Sequence, residues 1–134
     1  MINKIDVQTV LNYIRSHWSD TIKHQTENSG NVLGLPYPYT VPSHNNPNMQ
    51  IHFYWDTYFT NVGLLKQGLF DLAKSNVDNL LFEVEKYGFI PNGNRTFFLN
   101  RSQQPYLSLM VRDIFEATHD KNWLRLAFAT LKKE

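Results

Sequence analysis

The sequence predicts an all-α fold in a single domain. Five separate stretches repeat apolar residues at steps of three and four, the period of one helix face. Four of the six prolines fall in one connector, residues 24–54, which leaves the rest of the chain free to coil. The 134 residues are 42% apolar and 19% charged, the size and balance of one packed unit.

The first helix is expected over about 7–23. Val7, Val10, Leu11, Ile14, Trp18 and Ile22 share its apolar face, and Asp6 is placed to cap it. The proline-rich connector HQTENSGNVLGLPYPYTVPSHNNPNMQIHFY follows and cannot continue as a helix. A second helix is expected over about 55–67, through Val62, Leu64 and Leu65, with Gly68 as its stop. The third spans about 70–87, with Ala73, Val77, Leu80, Leu81 and Val84 on its core face and Gly88 at its end. The fourth, about 105–117, opens on Pro105, a residue suited to a first helical turn, and carries Leu107, Met110, Val111, Ile114 and Phe115. A short turn, THDK, offers Asp120 as cap for the fifth, about 121–133, with Trp123, Leu124, Ala127, Phe128 and Leu131. No internal repeat or low-complexity segment is present.

Two connections are short and make antiparallel neighbours; two are long. If the helices alternate up and down, both long connections fall at one end. That end then gathers PYPY, HFYWD, IPNGNR and NRSQQP on one rim. Long connections in a compact domain are commonly functional, and aromatic, proline-rich composition argues against disorder.

Residues 88–105, GFIPNGNRTFFLNRSQQP, contain no Asp or Glu. Their amides and guanidinium groups offer many donors, and their rings offer flat apolar faces. A neutral ligand with many hydroxyls and an apolar face, such as a sugar, would use both. The same Asn, Gly and Pro also serve ordinary turns. Asp56, at a helix start, is equally read as a favourable first-turn residue, and Trp55 as a core anchor. The five histidines, His17, His24, His44, His52 and His119, lack metal-ligand spacing and are read as surface residues. Asp113 with Glu116, and Glu83 with Glu85, read as solvated helix faces. Arg95, Arg101, Phe97 and Phe98 could imitate a nucleic-acid patch, but a net charge of +1 and the absence of a basic stripe argue against it.

The chain has no cysteine, which excludes disulfides and thiolate metal sites. MINKIDVQTV lacks the apolar run of a signal peptide, and no stretch is apolar enough to span a bilayer. The expectation is a cytoplasmic protein without a nucleic-acid or membrane partner.

From about Gly34 to its end, near three quarters of its length, the chain resembles the trehalase family of glycoside hydrolases. The motifs are Trp-Asp-x-Tyr-Phe at 55–59, YGFIPNGNR at 87–95 and NRSQ at 100–103. Relatives with mannosylglycerate- or glucosidase-type activity on the same barrel are similar. The resemblance implies part of an (α/α)6 toroid of antiparallel helix pairs, with long loops and the sugar site at one end. It implies that Trp55 and Asp56 contact sugar, the carboxylate accepting from hydroxyls, and that Asn92, Arg101 and Gln103 donate to glucosyl hydroxyls. Two departures stand out. The family's Gly-Gly-Arg-Phe-x-Glu segment before Trp-Asp is replaced by NNPNMQIHFY, and Gln104 stands where proline is frequent.

A glycosidase needs two carboxyl groups flanking the bond. The rim loops hold only Glu27 and Asp56, and the family's catalytic Asp and Glu come from later segments. Five helices do not close a ring of six helix pairs, and the second and fourth helices are expected to leave apolar faces open. The expectation is therefore one incomplete helical domain over residues 1–134. It would be the N-terminal portion of a trehalase-like inverting enzyme, inactive alone, with trehalose or a related disaccharide as ligand; the resemblance implies no metal or organic cofactor. Self-association or a complementing chain would cover the open faces. The alternative is a non-catalytic helical module that binds sugar or protein.

Overall fold

The computed structural model describes residues 4–134. Five helices carry it: α1 (Lys4–His17), α2 (Tyr54–Lys66), α3 (Phe70–Tyr87), α4 (Leu107–Thr118) and α5 (Lys121–Leu131). A two-stranded antiparallel ribbon joins β1 (Ile22–Lys23) to β2 (Tyr39–Thr40) in the register Ile22 with Thr40 and Lys23 with Tyr39.

One core lies between α2, α3, α4 and α5. Leu64, Val77, Leu80, Leu107, Met110 and Ile114 are fully enclosed there, joined by Trp123 and Ala127 from α5. Burial of such side chains contributes roughly 1.5–3 kcal/mol each. Gly88 ends α3 in the left-handed conformation, φ 80°, a geometry that costs glycine little. Asp120 caps α5, accepting from the backbone N–H of Asn122 at 3.0 Å and of Trp123 at 2.9 Å. Pro105 does not begin α4. The first helical residue is Leu107, whose N–H donates at 3.0 Å to the Tyr54 hydroxyl. A side chain of α2 thereby satisfies an orphan donor of α4.

The first helix is shorter than its sequence pattern. It stops at His17, and a 3-10 turn over Trp18–Thr21 leads into β1. The Thr21 hydroxyl donates to Trp18 O at 2.7 Å, and Val41 N donates to Thr21 O. Ile22 and Lys23 are thus drawn into pairing with the connector instead of another helical turn. The expected core face of α1 is also open: Val7, Val10, Leu11 and Ile14 are 37–55% exposed. The Trp18 indole holds this region, donating to Gln67 Oε1 at 2.8 Å and resting over Gly63.

The open apolar faces differ from those expected. No large apolar residue of α4 is exposed, whereas α2 exposes Trp55 and Phe59 as expected, and the apolar face of α1 and Leu126 and Phe128 of α5 are exposed in addition.

The proline-rich connector is ordered by side chains of α3. Asn79 accepts from Tyr37 N at 3.0 Å and donates to Tyr37 O at 3.0 Å. Asn76 accepts from Thr40 N and donates to Thr40 Oγ1 and Asn61 Oδ1. These amides substitute for the ladder that prolines deny the connector. A Cβ on Gly34 would stand 2.1 Å from Thr26 O, so the chain passes there only without a side chain.

Candidate functional site

Residues 88–106 lie directly against residues 24–53. Leu33 N donates to Asn94 O and Thr96 N to Asn31 O; Val32 bridges Arg95, and Phe53 bridges Gly93. Gly93 is required by this approach, since a Cβ there would sit 2.6 Å from Ile51 Cγ2. Asn94 locks the junction. It is fully buried; its Oδ1 accepts from His52 N at 2.9 Å and its Nδ2 donates to Leu33 O at 3.2 Å. Sequence reasoning singled out Asn92 and passed over Asn94, although an Asn directly after the Asn92-Gly93 pair was the visible signal.

The start of α2 sits on this junction. Its N-cap, Phe53, makes no side-chain cap bond. The other connector supplies the acceptors: Tyr54 N donates to Asn92 O at 3.3 Å, and Trp55 N to Gln103 Oε1 at 3.0 Å. Asn92 N in turn donates to Arg101 O at 2.9 Å. Hydrogen bonds thus tie Trp55 to Gln103, and its neighbour Tyr54 through Asn92 to Arg101, bringing three motifs together, and Asp56 follows in the first turn of α2.

Each group has a defined chemical face. Trp55 is 38% exposed and lies edge-on to Phe59, so it is not a core anchor. The exposed Arg101 guanidinium stacks 4.8 Å from the Phe98 ring centre and donates to Asn100 Oδ1 at 2.9 Å, leaving further donors outward. Gln103 has its oxygen engaged, so its Nε2 remains as a donor. The half-buried Asn92 offers a side-chain amide that makes no hydrogen bond among the described residues. Burial raises the Asp56 carboxyl above its ordinary value, against smaller lowering by its own backbone N–H and by Trp55. Behind them Tyr58 and Tyr106 stack at 4.6 Å, and Phe59 lies 5.9 Å from Tyr106. An aromatic wall, several outward donors and one carboxylate fit a polyhydroxylated neutral ligand.

Two ionisable groups read as surface residues are enclosed. His52 is fully buried; its Nε2 has no partner among the described residues, and burial lowers its pKa to about 4. Glu83 is also fully buried on α3, with neither carboxyl oxygen hydrogen-bonded among the described residues. Desolvation raises its pKa well above the ordinary carboxylate range, and the nearby Lys86 opposes this only in part. Periodicity marks the enclosed face of a helix but does not say that a polar residue on that face is excluded from water.

Among the described residues, no group of three or more His, Asp or Glu could hold a metal ion, and no helix is long and apolar enough to cross a membrane.

The family model described as trehalase matches residues 1–134. A protein named periplasmic trehalase from Xanthomonas campestris pv. campestris (strain B100) is 41% identical over 101 residues, which are 74% of this chain and 17% of that protein. One named probable trehalase from Oryza sativa subsp. japonica is 49% identical over 103 residues, 77% of this chain and 18% of that protein. The neutral trehalase of Saccharomyces cerevisiae matches in structure with a TM-score of 0.60 at 28% identity, covering 92% of this chain and 23% of that one. The chain thus spans less than a fifth of the length of these two sequence relatives. The structural match gives the all-α architecture its place as part of an (α/α)6 toroid.

The cytoplasmic expectation is corrected by these names, since the Xanthomonas relatives are called periplasmic trehalases. The composition of MINKIDVQTV speaks for those ten residues only, and a cysteine-free helical chain folds equally well in either compartment.

Proposed function

Because the chain belongs to the trehalase family, we propose that it forms part of the sugar-binding face of a trehalose-hydrolysing glycosidase. One observation carries this reading: the hydrogen-bond chain from Trp55 N to Gln103, and from Tyr54 N through Asn92 to Arg101, which gathers the three motifs at the start of α2. In this reading Trp55 supplies a ring face for the apolar side of a glucosyl unit. Asp56 accepts from sugar hydroxyls, while Asn92, Arg101 and Gln103 donate to them.

The same site lacks a catalytic pair. Inverting hydrolysis needs one acid to protonate the glycosidic oxygen and one base to activate water. The three motifs contain a single carboxylate, Asp56. The acid and base of the whole enzyme are therefore proposed to lie outside this chain, which acts as one incomplete helical domain. The exposed apolar faces of α1 and α5 support the same reading, their occupant being the remaining helices of a trehalase-type ring. A periplasmic location, as in the names of the Xanthomonas relatives, goes with this assignment.

Calorimetric titration of the 134-residue chain with trehalose and with glucose tests the proposal. Binding weakened about tenfold or more by Asn92→Ala or Arg101→Ala is expected, the loss of one charge-assisted or buried hydrogen bond. Binding indifferent to both substitutions would overturn the site. Trehalose hydrolysis well above blank by the chain would overturn the placement of the catalytic pair.

A further inference from the structure

A cavity of about 320 Å³ opens at the junction of the two connectors, away from the start of α2. Lys23, His24, Gln25, Tyr39, Gln50 and Arg95 line it, with Val32. Lys23 is the register partner of Tyr39, so their side chains stand on one face of the ribbon, and Gln25 continues that face two residues on. The Val32–Arg95 bridge brings the guanidinium to the same place. Arg95 is held firmly: Nη1 donates to Asn94 O at 3.0 Å and Asn94 Oδ1 at 3.1 Å, and Nη2 donates to Gln50 O. An arginine has five N–H donors, so the Nε–H and one Nη2–H remain.

The charge here is unbalanced. No lining residue is acidic. The ion pairs among the described residues, Lys74 with Asp78, Arg112 with Asp113 and Glu116, and Lys133 with Glu85, use none of Lys23, His24 or Arg95. Arg95 is half-buried; desolvation lowers its pKa, only the Tyr39 phenol opposes this, and no carboxylate among the described residues pairs with it. A partly buried cation without a counter-charge costs free energy that an anion in the same cavity would offset. Fixed guanidinium donors, a lysine and neutral amides also match the tetrahedral acceptors of a phosphate group.

We propose that this cavity binds a small oxyanion with the chemistry of a phosphate group, held by Arg95 and Lys23 with His24 at the edge. The proposal goes beyond the sugar reading and uses none of its contact residues. Phosphate could arrive free or carried on a sugar.

The test is amide-resolved NMR of the full chain at constant ionic strength, titrated with inorganic phosphate, glucose 6-phosphate or chloride. Saturable shifts centred on Lys23, Gln25, Gln50 and Arg95 are expected with phosphate and absent with chloride. Lys23→Gln should weaken binding roughly tenfold, Lys23→Arg should retain it, and Lys132→Gln on the far helix should leave it unchanged. Equal affinity for both phosphates assigns the site to the free ion; tighter binding of glucose 6-phosphate assigns it to a sugar-borne group. Shifts linear in concentration and reproduced by chloride would overturn the proposal. So would equal weakening by Lys23→Gln and Lys132→Gln.

Discussion

Replacing Glu83 by glutamine should stabilise the chain at neutral pH and leave it unchanged in acid. The carboxyl is fully buried on α3, neither oxygen has a hydrogen-bond partner among the described residues, and desolvation holds it protonated far above its ordinary value of 4.5. The unfolded chain releases that proton from about pH 4.5 upward, so above this pH the folded state binds more protons than the unfolded one. Stability therefore falls as pH rises. The loss grows by up to about 1.4 kcal/mol per pH unit for as long as the folded carboxyl keeps its proton. Glutamine has nearly the same shape and no proton to keep, so Glu83→Gln should recover that loss at pH 7 and nothing near pH 4. Urea unfolding followed by circular dichroism at the two pH values measures the difference. A variant less stable than the parent at pH 7 would refute the reasoning, because it would mean an ionised, partnered carboxylate.

His52 should produce the opposite slope. Its pKa is lowered to about 4 by burial, so between 6.5 and about 4 the unfolded chain takes up a proton that the folded chain refuses. Stability is then lost as pH falls through that window, by up to about 3 kcal/mol; in the Glu83→Gln background, where the opposing carboxyl is gone, a flat profile from pH 6.5 to 4 would contradict this. Tyr54→Phe should strand the Leu107 N–H at the start of α4. A loss of about 1–3 kcal/mol is expected, with faster hydrogen exchange at Leu107, and unchanged exchange there would show that Tyr54 is not the cap.

The helices that the sequence revealed best are those whose ends carry local chemistry. Gly88 and Asp120 act on their immediate neighbours, so α3 and α5 end and begin where short-range rules place them. The first helix was overextended because its pattern is helical through Ile22. Strand pairing with Tyr39–Thr40, a contact made across the connector, decides those last residues instead. Periodicity also assigned α1 a core that the chain does not supply, since an apolar stripe says nothing of what covers it. On α3, Asn76, Asn79 and Glu83 recur at steps of three and four just as the apolar face does. For Asn76 and Asn79 that polar stripe was a readable sign that something polar, here the proline-rich connector, packs against it.

At the rim, the two long connectors were visible in the sequence, and Trp55, Asp56, Asn92, Arg101 and Gln103 were singled out there through the resemblance to the trehalase family. The means of their assembly was not. Asn94, Gly93 and the use of Gln103 as a cap for α2 depend on contacts 42 to 61 residues apart in sequence. No local pattern encodes such a distance.

The most direct measurement of the account is an amide and side-chain NMR titration of the chain with trehalose. Saturable shifts confined to Trp55, Asp56, Asn92, Arg101 and Gln103, including the Trp55 indole N–H, are the predicted result. Shifts scattered over α1 and α5, or confined to the Trp18 and Trp123 indoles, would contradict it.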